Sequence, residues 1–253
     1  ESRGLGDVYK RQAYSVTGGR ELIGGTGYAK KKGRVLVNGT GYDIPFSSGI
    51  PLSTVALGDI LMLNENGNPV PFYVCKHDYE SGLNGAGRTL LVRKDCYDKR
   101  IFDSSSKIFA GSSIDTWLNG TWIKLLTLDV QSAAGTTKIY YYDGSNKKAV
   151  TTRAVFLLST AEFGYSDYAD TDGEPLDSAV RKLLSTAYYG GNSVGQWTRT
   201  PATWTQKNVY VIMPGDYSTH IPCNDSHGVR PSITIPSTFP VIQNPDGTYS
   251  PAA

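Results

Sequence analysis

Residues 197–231 read WTRTPATWTQKNVYVIMPGDYSTHIPCNDSHGVRP. The stretch opens on Trp197-x-Arg199-x-Pro201 and closes on Gly228-Val229-Arg230-Pro231. An aromatic ring can anchor a core, an arginine can reach several loop carbonyls or a carboxylate, and a proline fixes a turn. Gly228 permits an unusual backbone angle, and Arg230 can pin the base of a loop. Trp197, Arg199, Pro201, Gly228 and Arg230 are therefore read as framework. Between them Asn208–Met213 alternates as a strand does, whereas Tyr217 to His227 shows no helical period and no sustained alternation. The expectation is an irregular, variable loop held by a stiff frame. Such a pattern suits a recognition surface better than a catalytic centre.

The residues expected to touch a ligand are Trp204, Asn208, Tyr210, Tyr217, Thr219, His220, Ile221, Asn224, Ser226 and His227. Tyr and Trp offer large, stiff contact area at low entropic cost, and Ser, Thr and Asn add adaptable hydrogen bonds. The bland alternative is an ordinary polar surface loop.

Outward from this stretch, the chain reads as short strands with two helices. Asp59–Leu63 and Val70–Lys76 form a hairpin across a turn rich in Asn and Gly, and Thr89–Arg93 is a third strand. Ser113 caps a helix that places Ile114, Trp117 and Leu118 on one face; Gly120 interrupts it, and Trp122, Ile123, Leu125 and Leu126 continue the apolar surface. Leu176 to Tyr188 carries a helical period ended by Gly190-Gly191. Val155–Leu158 is a buried strand leading to Ser159, which can cap a turn containing Glu162 and Phe163, and Ser232–Ile235 is another strand. Residues 13–56 are Gly-rich, with Arg34–Val37 before Asn38-Gly39 giving a strand-then-turn signal. Lys30-Lys31-Lys32 reads as a solvated face. The fold class is α+β, mostly short antiparallel strands with two helices. The expected organisation is an N-terminal β extension over 13–56, one domain over 57–236 and a loose, Pro-containing tail over 237–253. Residues 1–12, ESRGLGDVYKRQ, resemble a translated sequencing adapter found at the ends of metagenomic protein predictions. They are read as non-native, which would leave the natural N-terminus missing.

The 253 residues carry 28 Gly and 17 Tyr, only 19% charged residues and a net charge of +2. That balance suits a turn-rich surface protein and provides no basic field for nucleic acid. No run is long enough to span a membrane. Cys75, Cys96 and Cys223 are an odd number at wide spacing; Cys75 reads as a buried small hydrophobe, and the sequence leaves a Cys75–Cys96 bridge open.

Ser112–Asn119, Val155–Gly164, Trp197–Pro201 and Gly228–Pro231 occur in that order. Together they resemble an uncharacterised domain common in Firmicute phages and gut bacteria, over Leu57 to Pro236. That domain looks like a divergent C-type lectin fold, shared with formylglycine-generating enzymes and with variable proteins of diversity-generating retroelements. The resemblance implies a role for the closing segment: in retroelement-diversified relatives a reverse transcriptase randomises adenines in the codons of a C-terminal variable region. Asn codons so treated never yield Lys, Glu, Gln, Met or Trp, and Tyr217–His227 contains none of them, a run that chance also produces. Trp204, Gln206, Lys207 and Met213 would then be fixed by the template.

Chemical motifs are sparse. His220-x-x-Cys223-x-x-x-His227 has spacing a zinc ion accepts but lacks an evident fourth ligand. Asp167, Asp170, Asp172 and Glu174 form an acidic stretch without the full ligand series of a calcium loop, and Glu174-Pro175-Leu176 breaks the sugar-binding lectin signature. A solvated turn is the simpler reading. No nucleophile elbow, phosphate loop or zinc-protease motif is present. The reading is a non-enzymatic surface protein, without cofactor or metal, that binds a protein or glycan ligand on a cell surface. It would sit on a virion tail or a bacterial surface and is compatible with a homo-oligomer. The alternatives are a structural virion protein and, less favoured, a lectin.

Overall fold

Asn66-Gly67 shows how local chemistry sets the architecture. Both residues take positive φ, 52° and 83°, as a two-residue hairpin turn requires, so Glu65 pairs directly with Asn68. The expected hairpin is present, with a tighter turn than the sequence indicated.

A computed structural model describes residues 32–37, 40–45, 49–166, 171–205 and 207–252. Residues 1–12, Lys30, Lys31, Asn38, Gly39, Asp167, Asp170 and Gln206 lie outside the described residues. The chain divides into two units. In the first, β1 (Lys32–Val37) pairs antiparallel with β2 (Thr40–Pro45).

The second unit spans Ile50–Pro251. It runs β3 (Ile50–Pro51), a 3-10 turn (Leu52–Thr54), β4 (Ile60–Glu65), β5 (Asn68–Lys76), α1 (Ser81–Asn84), β6 (Arg88–Arg93) and β7 (Asp98–Ile101). Next come α2 (Ser113–Gly120), a 3-10 turn (Trp122–Leu125), α3 (Leu128–Ala134), β8 (Thr137–Tyr142), β9 (Lys148–Arg153), β10 (Val155–Phe156) and α4 (Ser178–Leu184). The chain continues through β11 (Ala187–Tyr189), β12 (Asn192–Val194), β13 (Gln196–Pro201), β14 (Asn208–Met213), β15 (Tyr217–Pro222), β16 (Ser226–Val229), β17 (Ser232–Pro236), β18 (Pro240–Gln243) and β19 (Tyr249–Pro251). The class is α+β, dominated by sheet.

An eight-stranded sheet has the order β10-β17-β6-β5-β4-β19-β18-β3, and a five-stranded sheet the order β15-β14-β13-β16-β7. One apolar core joins them, with Phe72, Leu91, Trp122, Phe156 and Ile233 in the same cluster as Trp197, Val209 and Val211. Ser112, one residue before the expected cap, accepts from Asp115 N and starts α2.

Three readings are corrected. The helix expected over 176–188 covers only Ser178–Leu184, capped by Asp177. Ala187–Tyr189 turns into a hairpin strand, and Gly190-Gly191 is its turn, with φ of 58° and 81°. The segment read as a loose tail pairs into the larger sheet: β18 lies against β19, and β19 runs parallel to β4 through Tyr249 and Leu61. Val241 and Tyr249 supply the buried apolar contacts that hold it, and Pro240 sits at a strand's first residue, where its missing N–H is tolerated. The variable loop over 217–227 is mostly strand. β15 pairs with β14 through six residues, and β16 pairs with both β13 and β7. As an edge strand half-covered on both faces, β15 needs no apolar alternation, so its sequence hides it. All three cysteines are buried and unbridged. Among the described residues, no helix is long and apolar enough to cross a membrane.

Candidate functional site

The expected framework is buried. Arg199 is fully enclosed on β13. Its Nε donates to Tyr140 O at 2.7 Å and its Nη1 to Leu157 O at 2.8 Å and Glu162 Oε2 at 2.6 Å. Nη2 donates to Asp172 O at 2.5 Å. These are the loop carbonyls and carboxylate expected of it. Glu162 also accepts from Tyr79 OH at 2.5 Å and from Ser159 N at 2.6 Å, and its own N–H donates back to Ser159 Oγ. A buried ion pair is tolerated only when its remaining hydrogen-bonding capacity is used in this way.

Arg230 reaches Arg93 O, Leu184 O, Lys94 O and Gln196 Oε1, tying the end of β6 to the end of α4 rather than the base of a loop alone. Trp197 donates from Nε1 to Arg100 O at 2.8 Å and meets Phe102 edge-on. Pro201 ends β13, also buried. Gly228 serves close approach rather than an unusual angle: a Cβ there would lie 2.5 Å from Cys96 Sγ and 3.1 Å from Gly195 O.

The contact candidates divide. Trp204 is 70% exposed and Tyr217 52%. Asn224 and Ser226 are exposed, while Asn208, Thr219, His220, Ile221 and His227 are half-buried. Tyr210 is a correction: only 4% of it is exposed, because β14 is covered on both faces.

The β14–β15 register sets Tyr210 opposite His220 and Val211 opposite Thr219. His220 thus shares a face with Tyr210 and meets its ring edge-on at 6.2 Å. Trp204 approaches the same imidazole at 6.1 Å, with its Nε1–H 3.4 Å from Nε2. Nδ1 of His220 lies 3.0 Å from the Asn208 amide. The Asn208 atom facing Nδ1 is its amide nitrogen Nδ2. Both neighbours of the imidazole are donors, and a neutral ring has one accepting nitrogen, so it takes only one of these two hydrogen bonds at a time. Trp204, Asn208 and His220 form one surface cluster. Its tip, the Trp204 indole, projects outward.

His227 lies on the other face of the sheet, edge-on to Trp197 at 5.1 Å, where burial lowers its basicity. The His220, Cys223 and His227 side chains therefore do not converge. Among the described residues no group of three His, Cys, Asp or Glu is placed to hold a metal ion.

Asp172, read as part of a solvated turn, is buried at 1% exposure and accepts from Thr200 Oγ1 at 2.8 Å. Glu174 of the same stretch is exposed and pairs with Lys76. The network of Tyr79, Glu162, Asp172 and Thr200 around Arg199 was missed in the sequence. Its one visible signal was the capping-box spacing of Ser159 and Glu162.

No curated protein and no solved structure matches the chain. A family model described as a domain of unknown function, DUF6273, matches residues 86–237, from before β6 to just past β17. That match covers more than half of the sequence, and the chain belongs to this family.

Proposed function

We propose that the protein binds a ligand on a host or neighbouring cell through the surface built by Trp204, Asn208, His220 and the exposed side of β15, as a phage receptor-binding component or a bacterial adhesin. The observation that carries this reading is the Trp204 indole, 70% exposed and steadied by His220. Exposing so large an apolar ring forgoes about 2 kcal/mol of burial, a cost that a partner covering the ring would recover. The buried Arg199 and Arg230 networks support a rigid base beneath a replaceable surface. We further read the domain as a divergent C-type lectin-like fold, without enzymatic activity, whose 217–227 segment is open to retroelement diversification. A strand with half-exposed side chains accepts such changes where a core strand would not. Multivalent display would raise weak single contacts to useful avidity.

The test is saturable binding of the fluorescently labelled protein to intact gut bacterial cells. Trp204→Ala should weaken binding about tenfold, the scale of an aromatic hot spot, with unchanged thermal stability. Equal binding by both proteins would refute the reading. A second reading, assembly within a virion, is favoured by Leu57 and Leu183, exposed at 43% and 41% around Gly58. A concentration-dependent oligomer in light scattering, dissolved by Leu183→Glu, would support it.

A further inference from the structure

A second concavity lies away from Trp204, between the segment after β6 and the β11–β12 hairpin. Its volume is about 570 Å³, within the range of small-molecule sites. Tyr188 and Tyr189 rise from the hairpin at 46% and 39% exposure. Neither ring has a stacking, cationic or hydrogen-bond partner among the described residues. Lys94 and Asp95 also line the concavity; among the described residues neither charged group makes a hydrogen bond or salt bridge, although the Asp95 carboxylate feels the buried Arg230 guanidinium.

The floor, by contrast, is fixed. The Arg93 guanidinium lies 5.6 Å over Tyr97, Tyr97 is 5.6 Å from Trp117, and Arg100 covers Trp117 at 4.0 Å. Arg93 is also committed to Glu65 by bonds of 3.0 and 3.1 Å. The main chain joins the two walls, Cys96 N donating to Tyr188 O at 2.9 Å.

We infer that this concavity is a binding subsite for an uncharged saccharide. The two phenol rings offer flat apolar faces to the C–H face of a pyranose, and Asp95 and Lys94 offer an acceptor and donors to its hydroxyls. One charge of each sign selects against a ligand of strong net charge. An apolar peptide would leave both charged groups buried without partners, a costly outcome. A polyhydroxylated ring satisfies them instead. Cys96, at the base of the concavity, has its thiol pushed up to about 11 by burial. It stays protonated near neutral pH, so the site is suited to binding rather than to thiolate chemistry.

The test is isothermal titration of the whole protein with cellotriose, mannotriose, chitotriose and galactotriose, alongside trigalacturonic acid and a tyrosine-containing apolar peptide. At least one neutral trisaccharide should bind saturably. Tyr188→Ala and Lys94→Ala should each weaken it about tenfold, a change of about 1.4 kcal/mol, while Trp204→Ala leaves it unchanged. The last result separates this site from the surface proposed above. Tyr188→Phe should keep both fold and affinity, and Lys94→Ala carries the test if Tyr188→Ala unfolds. The inference is overturned if no neutral trisaccharide binds, if only the acidic sugar or the peptide binds, or if the folded variants bind as tightly as the parent.

Discussion

Asp172 couples the buried network to pH. Burial pushes its carboxyl up to about 6, against the opposing pull of the Arg199 guanidinium and the Thr200 hydroxyl. The folded protein therefore holds this proton more tightly than the unfolded chain does. The resulting stabilisation is complete below the unfolded carboxyl's titration near pH 3.8 and is lost as pH rises through about 6. Glu80, raised by burial and by Glu162, acts in the same sense. The unfolding free energy in urea should fall between about pH 4 and 7, with Asp172 responsible for on the order of 2 kcal/mol. Asp172→Asn should flatten that fall; an identical slope in both proteins would remove Asp172 from this role. The effect was not legible in the sequence. Asp172 stands among acidic neighbours and reads as solvated, and only the fold reveals that Arg199 and Thr200 enclose it. Arg199 was legible, because an arginine between Trp197 and Pro201 has little reason to face water.

At the level of elements, caps and turns carried the most information. The α2 start was found to within one residue, since Ser112 and Ser113 both have a cap's chemistry and only geometry chooses between them. Ser112→Ala should cost about 1 kcal/mol, measured as a lower urea midpoint, while Ser113→Ala should cost less because the half-buried Asp103 carboxylate, which Ser113 Oγ bonds, keeps its backbone donors Ser105, Ser106 and Ser113 N–H. Equal losses would contradict the assignment of the cap. The 176–188 segment misled because Ala187 falls in phase with the helix while belonging to a strand. Its Gly190-Gly191 pair serves a hairpin turn as well as it would a helix end. Two helices were expected and the described residues form four; α1 and α3, of four and seven residues, are too short to show a helical period, and the β8–β9 hairpin was likewise not anticipated. β15 was hidden for the opposite reason. Its neighbours on β14 are apolar on both faces, so the pairing is set by β14 rather than by its own pattern. Most of the residues read as contacts are at least partly exposed, while their backbone conformation and the inward turn of Tyr210 were not legible in the sequence.

Across the second unit, the larger sheet is assembled from distant parts of the sequence. β19 enters its interior, parallel to β4 on one side and antiparallel to β18 on the other. Removing residues 240–252 would strip β4 of its neighbour and expose Leu61 and Leu63, now fully buried. The shortened protein should bind a hydrophobic dye and lose its cooperative thermal transition; a sharp transition near the parent's would show that β18 and β19 are dispensable. The position of β19 also orders events during synthesis. A ribosome must release the chain through residue 251 before the gap beside β4 can close, so until then the nascent protein carries an open seam that invites chaperones or mispairing. Any extension fused beyond that strand must leave room for it to slot home.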